Sequence, residues 1–186
     1  MSDIILVSAT ELEHNYKNLY GYPVNIVGIG KIEAGFNINK IISEHHPKLI
    51  INFGSCGNLK HYKPGEILQV GEVINDFFAD KIYSYDKITI SNSVIKCFTT
   101  DSFYIKNDNY HQEYLKNINN CDIVDMELYP IAYACKNYNI KLLSFKWVSD
   151  DGDADVWREA ADLGFNNFKI LLKQVLEDNN YKITKE

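Results

Sequence analysis

Arginine is almost absent: Arg158 is the only one in 186 residues. Lysine is present but scattered, and the formal net charge is -6. Binding a phosphate backbone takes clustered Lys or Arg, so this balance excludes an ordinary nucleic-acid partner and favours a small solute or a protein. The four cysteines, Cys56, Cys97, Cys121 and Cys135, form no C-x-x-C pair and no Cys/His spacing of a zinc site. They suit free thiols in a reducing compartment. No apolar run is long enough to span a bilayer, and the short apolar run at Ile4-Ile-Leu-Val7 lacks the basic segment that precedes a secretory leader. A cytoplasmic location without membrane contact is expected. Linkers, internal repeats and low-complexity tracts are also missing. With 46% hydrophobic content, residues 1–186 suffice for one sizeable core and are too few for two ordinary ones.

The most organised stretch runs from Asp122 to Asp155. Asp122-Ile-Val-Asp-Met-Glu-Leu-Tyr-Pro130 leads into an apolar run of helical period to Tyr138, and Ile140 to Val148 is a second apolar strand ending in Ser149-Asp150-Asp-Gly-Asp-Ala-Asp155. That reads as strand, helix, strand, with a carboxylate near the C-terminal end of each strand. In an open parallel α/β sheet such ends share one edge, where ligands bind, so Glu127 and Asp150 are expected to face one pocket. Each has a plainer reading. Glu127 is also first-turn charge favoured by a helix dipole. Asp150 to Asp155 is also a solvated acidic loop with Asp155 as the cap of the last helix. A calcium loop begun at Asp151 fits poorly, because Val156 falls where Gly is required and Asp162 where Glu is usual.

Ile4 to Ser8 reads as a buried strand entering a helix at Thr10. Thr10-Glu-Leu-Glu13 fits the S/T-x-x-E capping box, and Glu13 equally lies just past a strand end, where a carboxylate can hold a water. Val24 to Ile29 is the second strand. The glycines of Gly28-Ile-Gly30-Lys-Ile-Glu-Ala-Gly35 do not match G-x-G-x-x-G and mark a tight turn into a helix that runs to about His45, ahead of Pro47. Leu49 to Phe53 is a strand that Gly54-Ser-Cys-Gly57 breaks. That break is either an ordinary loop or a place where backbone N–H groups and a hydroxyl meet a ligand. Pro64 to Ile74 turns into one or two strands, so strands and helices do not alternate strictly and a mixed sheet follows. Alternation from Lys87 to Cys97 gives short strands. Phe103 and Tyr104 then either stack on a flat ligand or close the core. Tyr110 to Asn117 is a modest helix, and Trp157 to Glu177 a strong one with an apolar stripe.

Taken together, Asn52-Phe-Gly-Ser-Cys-Gly57, Val124-Asp-Met-Glu127 and Val148-Ser-Asp150, with Gly28-Ile-Gly30-Lys31, Pro64-Gly-Glu-Ile-Leu and Ala9-Thr-Glu-Leu-Glu13, resemble the signature segments of the purine nucleoside phosphorylase superfamily. The branch they resemble most is the 5'-methylthioadenosine/S-adenosylhomocysteine nucleosidases. The resemblance implies a three-layer α/β/α domain around a mixed, partly closed sheet, a homodimer, and no cofactor or metal. It assigns Asp150 as the acid that protonates N7 of a departing purine, with Ser149 supporting the base contact, and Glu13 as the group that polarises the attacking water, with Ser55 near that water. Glu127 would bind the ribose hydroxyls, Met126 would pack on the sugar, Phe103 would stack on the base and the Tyr104 backbone would read its edge. The residue types suit the chemistry. Breaking an N-glycosidic bond passes through an oxocarbenium-like state and needs a proton for a poor leaving group and negative charge near the sugar. Asp151, Asp153 and Asp155 would help keep Asp150 protonated by like-charge repulsion.

Superfamily phosphorylases clamp phosphate with arginine, which suits bidentate contact. One such arginine would fall at Asn52, and Arg158 lies beyond the acidic loop, so water is the expected nucleophile unless a lysine substitutes. Three departures bear on specificity. The region from Asp76 to Asp101 is shortened, Thr10 stands where an apolar residue usually faces the 5' substituent, and Leu128-Tyr-Pro130 replaces small residues, Pro130 being tolerable in a first helical turn. The sequence thus predicts a purine nucleosidase acting on adenosine-type nucleosides. A phosphate-dependent phosphorylase and a catalytically weak nucleoside-binding protein are the alternatives.

Overall fold

The computed structural model describes residues 3–76, 87–102, 118–150 and 154–184, without the side chains of Asp150 and residues 154–159. Strand β1 (Ile4–Ser8) is followed by a single 3-10 turn (Glu11–Glu13), β2 (Asn18–Leu19), β3 (Tyr22–Ile26), helix α1 (Lys31–His45), β4 (Leu49–Asn58) and β5 (Ile67–Asn75). Then come β6 (Lys87–Thr89), β7 (Ile95–Thr99), β8 (Ile123–Asp125), α2 (Leu128–Asn137), β9 (Lys141–Asp150) and α3 (Ala154–Asp178). The nine strands among the described residues belong to one mixed sheet. Five of them close a ring: β4 pairs with β8, β8 with β7, β7 with β5, β5 with β9, and β9 returns to β4. Strands β1, β3 and β2 extend the sheet from the other half of β4.

Alternation along the central strands sorts the core into two layers. Ile5, Val7 and Ile50 pack with Ile38, Ile41 and Ile42 of α1 and Leu128, Ile131 and Cys135 of α2. Ile4, Leu6, Leu49, Ile51, Phe53, Phe145 and Trp147 face α3 through Phe165, Phe168, Leu172 and Leu176. The outcome is the expected α/β/α layering around a partly closed mixed sheet. Burying one such large side chain contributes about 1.5–3 kcal/mol. The four cysteines are buried with no disulfide among them, and no helix among the described residues is long and apolar enough to cross a membrane.

Several local expectations change. No α-helix starts at Thr10. Its hydroxyl takes the N–H of Leu12, not of Glu13, and the chain leaves the 3-10 turn for β2. Strand β4 is not broken at Gly54 but runs on to Asn58, because β9 pairs with it from Leu49 to Gly57. Strand β8 runs antiparallel to β4, and β9 parallel to it, so the sheet is not an open parallel one, although both strands end beside the last residues of β4. Helix α3 begins at Ala154, which puts Asp155 inside the helix and not at its cap. The helix anticipated over Tyr110 to Asn117 lies outside the described residues.

Candidate active site

The site is organised by a fork in the sheet. On one edge of β4, β1 pairs with Leu49 to Asn52, and β8 pairs only with Gly57 and Asn58. Neither strand pairs with Phe53 to Cys56 on that edge, and the Ser55 N–H there meets a side chain instead. Glu13 fills the gap. Its Oε1 accepts the backbone N–H of Ser55 at 2.8 Å and also the Ser55 hydroxyl, and its Oε2 accepts the hydroxyl of Ser8 at 3.2 Å. The carboxylate is 6% exposed, so the capping-box reading fails: it faces the sheet and not its own helix turn. Gly54 permits this approach, since a Cβ there would stand 3.1 Å from Glu13 Oε2.

Glu127 arrives from the other side of the fork. Because β8 is antiparallel, the chain past Asp125 heads back along β4, and Glu127 is 7% exposed. Its Oε1 accepts the Gly30 N–H at 2.9 Å. Gly30 has φ +85° and Gly28 φ +89°, a region glycine enters at little cost, and this turn aims the N–H at the carboxylate. Burial lifts the Glu127 carboxyl to about 7. Lys146 and the Gly30 N–H oppose the rise, while Asp125 and Glu13 add to it.

Glu127 stands at the N-cap of α2 without a cap hydrogen bond from its side chain; Asp125 supplies one. Its Oδ2 accepts the Leu128 N–H at 2.9 Å and meets Lys146 Nζ at 2.8 Å, while Oδ1 accepts the Thr99 hydroxyl at 2.7 Å. Thr99 Oγ1 in turn accepts the Tyr129 N–H at 3.1 Å. Burial disfavours the charge on Lys146, but Asp125 and then Glu127 outweigh it and hold the ammonium above its ordinary range. Sequence reasoning passed over Asp125 and Lys146. The legible signal was a lysine inside the otherwise apolar run of β9. His14 was also missed: it is buried beside Phe53 and Phe165, with ring centroids at 5.2 and 5.4 Å, and burial lowers its pKa.

The remaining predicted positions divide. Ser55 is brought directly to Glu13. Ser149 is buried and donates to Cys56 O at 3.1 Å, and Met126 is half-buried in the turn after β8. The backbone of Asp150 pairs with Gly57, which pairs with Val124 on its other edge, so the end of β4 is flanked by β8 and by Asp150. The side chain of Asp150, Phe103, Tyr104 and the acidic residues Asp151 and Asp153 lie outside the described residues. Asn52 is buried, accepting from Ser144 Oγ at 2.9 Å and donating to Val7 O at 3.4 Å. Lys31, next to Gly30, is bound by Asp76, by Asp101 at 2.9 Å and by Asn75 at 3.0 Å. A cleft of about 490 Å³ between β6, α2 and the start of β9, lined by Ile88, Cys135, Lys136 and Leu142 among others, contains none of these carboxylates. The buried carboxylates, not that cleft, mark the site.

Residues 94–177 match the family model described as the phosphorylase superfamily. Among the relatives of this chain, the 5'-methylthioadenosine/S-adenosylhomocysteine nucleosidase of Buchnera aphidicola subsp. Baizongia pistaciae is 26% identical over 179 residues, covering 81% of this chain and 71% of the relative. The crystal structure of the same-named nucleosidase from Neisseria meningitidis, in complex with methylthio-immucillin-A, superimposes with a TM-score of 0.80 at 18% identity, covering 95% and 99% of the two chains. Futalosine hydrolase of Helicobacter pylori superimposes with a TM-score of 0.73 at 13% identity, covering 92% and 97%. The structural likenesses show that this chain shares the fold of these solved structures.

Proposed function

We propose that this chain is a purine nucleosidase that hydrolyses the N-glycosidic bond of adenosine-type nucleosides such as 5'-methylthioadenosine or S-adenosylhomocysteine and releases adenine. The observation that carries this reading is Glu13, a buried carboxylate held by Ser55 and Ser8 at the fork of the sheet, with Glu127 as a second buried carboxylate across the fork. Nucleosidases among the relatives support it. The whole chain, residues 1–186, is read as one such domain.

In the proposed reaction, water adds to C1' of the sugar, the bond from C1' to N9 breaks with its electron pair going to the purine, and Asp150 gives a proton to N7. Glu13, with Ser55 beside it, polarises the water and takes its proton. Glu127 accepts hydrogen bonds from the ribose hydroxyls and places negative charge near the oxocarbenium-like carbon. Met126 packs on the sugar, and Ser149, Phe103 and Tyr104 serve the base. Water as nucleophile, rather than phosphate, is supported at three positions. Asn52 occupies the place of a phosphate-binding arginine and is hydrogen-bonded within the sheet. Lys31 and Lys146 are each paired with aspartate.

The test is adenine release from methylthioadenosine, S-adenosylhomocysteine, adenosine and inosine by the wild type and by Asp150→Asn. The reading expects preference for an adenosine-type substrate, and an Asp150→Asn variant that still binds nucleoside but loses turnover by about 100-fold or more. Unchanged turnover in that variant would remove Asp150 from the role of acid.

The same proposal places the enzyme in the cytoplasm, in methionine salvage, as a homodimer. The dimer is supported by Ile32 and Phe36, one turn apart on α1 and 88% and 73% exposed, close to the Gly30 turn that holds Glu127. A dimer mass in sedimentation is expected, and Phe36→Glu should shift it to monomer. A monomeric wild type at micromolar concentration would contradict the assignment.

A further inference from the structure

Among the described residues Lys146 is the one buried lysine, and its ion pair with Asp125 has side chains only 3% and 1% exposed. Such a pair is a poor device for stability, because desolvating both charges consumes most of what their attraction returns. Capping a helix does not require it either, since a half-exposed Ser or Asp serves. The cost points to another use. Asp125 bonds to this ammonium group, and Glu127, separated from Asp125 by a single residue, is the second buried carboxylate acting on it. Asp125 is tied on every side, by Thr99 Oγ1 at 2.7 Å, the Leu128 N–H at 2.9 Å and Lys146 at 2.8 Å. Those three contacts fix the start of the turn that ends in Glu127, and the Gly30 N–H fixes its carboxylate.

We propose that Lys146 and Asp125 form a positioning pair for the sugar-binding carboxylate: Asp125 sets the turn that presents Glu127, and Lys146 supplies the positive charge that Glu127 faces. Neither residue touches the reacting atoms. The inference rests on the reading of Glu127 as the ligand of the ribose hydroxyls, and it deepens that reading by naming what makes the site selective for ribose.

The experiment compares adenosine with 2'-deoxyadenosine as substrates for the wild type, Lys146→Met, Lys146→Arg and Thr99→Val. Lys146→Met should raise KM for the ribonucleoside about tenfold or more while changing that for the deoxynucleoside much less, and Lys146→Arg, which keeps the charge, should restore most of the loss. Thr99→Val removes one contact to Asp125 with little change of shape and should show the same ribose-selective effect, smaller in size; it decides the matter if the Met variant does not fold. Equal losses on both substrates, or none in a folded variant, would overturn the pairing role.

A wild type that releases base from neither substrate, nor from methylthioadenosine or S-adenosylhomocysteine, would refute the nucleosidase reading and not this one. The pair is then read from the Glu127 carboxyl carbon by NMR. The groups facing that carboxyl are Lys146 on β9, Asp125 on β8, Glu13 from the 3-10 turn and the Gly30 N–H. Its titration midpoint should move up in Lys146→Met, or in Thr99→Val where the Met variant does not fold. An unmoved midpoint would overturn the proposal.

Discussion

Glu13 and Glu127 are both buried carboxylates, yet their surroundings differ. Glu13 accepts hydrogen bonds from two serines. Glu127 has one backbone N–H and a large desolvation cost, which lifts it to about 7 from an ordinary 4.5. This has two consequences of opposite sign. Because the folded value is raised, the native state holds a proton that the unfolded chain has released over the window from roughly pH 4.5 to 7. Glu127 therefore subtracts from stability as pH rises through that window. In the role proposed for Glu127, nucleoside binding moves the other way, since only the carboxylate accepts from both ribose hydroxyls. Calorimetry with a non-cleavable nucleoside analogue should show tighter binding as pH rises from about 6 to about 8; affinity that is flat or falls over that range would refute the role given to Glu127. The sequence made these carboxylates visible as motif members, but not how each is held. The contact between Glu13 and Ser55 spans 42 positions, whereas the capping box that competes for Glu13 is a local pattern.

Elements were legible where local pattern and tertiary need agree. Helix α1 stops at His45, before Pro47, and α3 carries Ala161, Phe165, Phe168, Leu172 and Leu176 on one face. They were illegible where pairing overrides propensity: Gly54 and Gly57 read as a break, yet β4 continues through them because β9 holds its other edge. The direction of β8 depends on a partner far along the chain, and nothing local encodes it. Gly164 shows how tightly α3 is seated. A Cβ at that position would lie 2.2 Å from Trp147 Cγ, and Trp147 is fully buried. Gly164→Ala gains about 1 kcal/mol of helix propensity and should still destabilise the protein, because overpacking costs about 1–3 kcal/mol or more at a site that cannot give. Thermal unfolding should fall by about 2–4 °C for each net kcal/mol lost. An unchanged or higher midpoint would show that Trp147 and α3 are not packed as described.

At the scale of the whole molecule, the ring of five strands and the fork at β4 matter more than any single motif. Layering of α1 and α2 on one face and α3 on the other leaves the fork as the place where β1, β4, β8 and the Gly30 turn converge, and the polar groups of the site come from those segments, from the 3-10 turn and from β7 and β9. That convergence explains why segments scattered from Glu13 to Asp150 could be grouped from sequence only by family resemblance, and why Lys146, which serves the site from within the core, was missed. The central claim is that this arrangement uses water. Its most direct test is to incubate the protein with methylthioadenosine in phosphate-free buffer, then with phosphate added, and to separate base and sugar by chromatography. The account predicts adenine and free methylthioribose in both cases at the same rate. Base release that requires phosphate and yields a sugar 1-phosphate would contradict it.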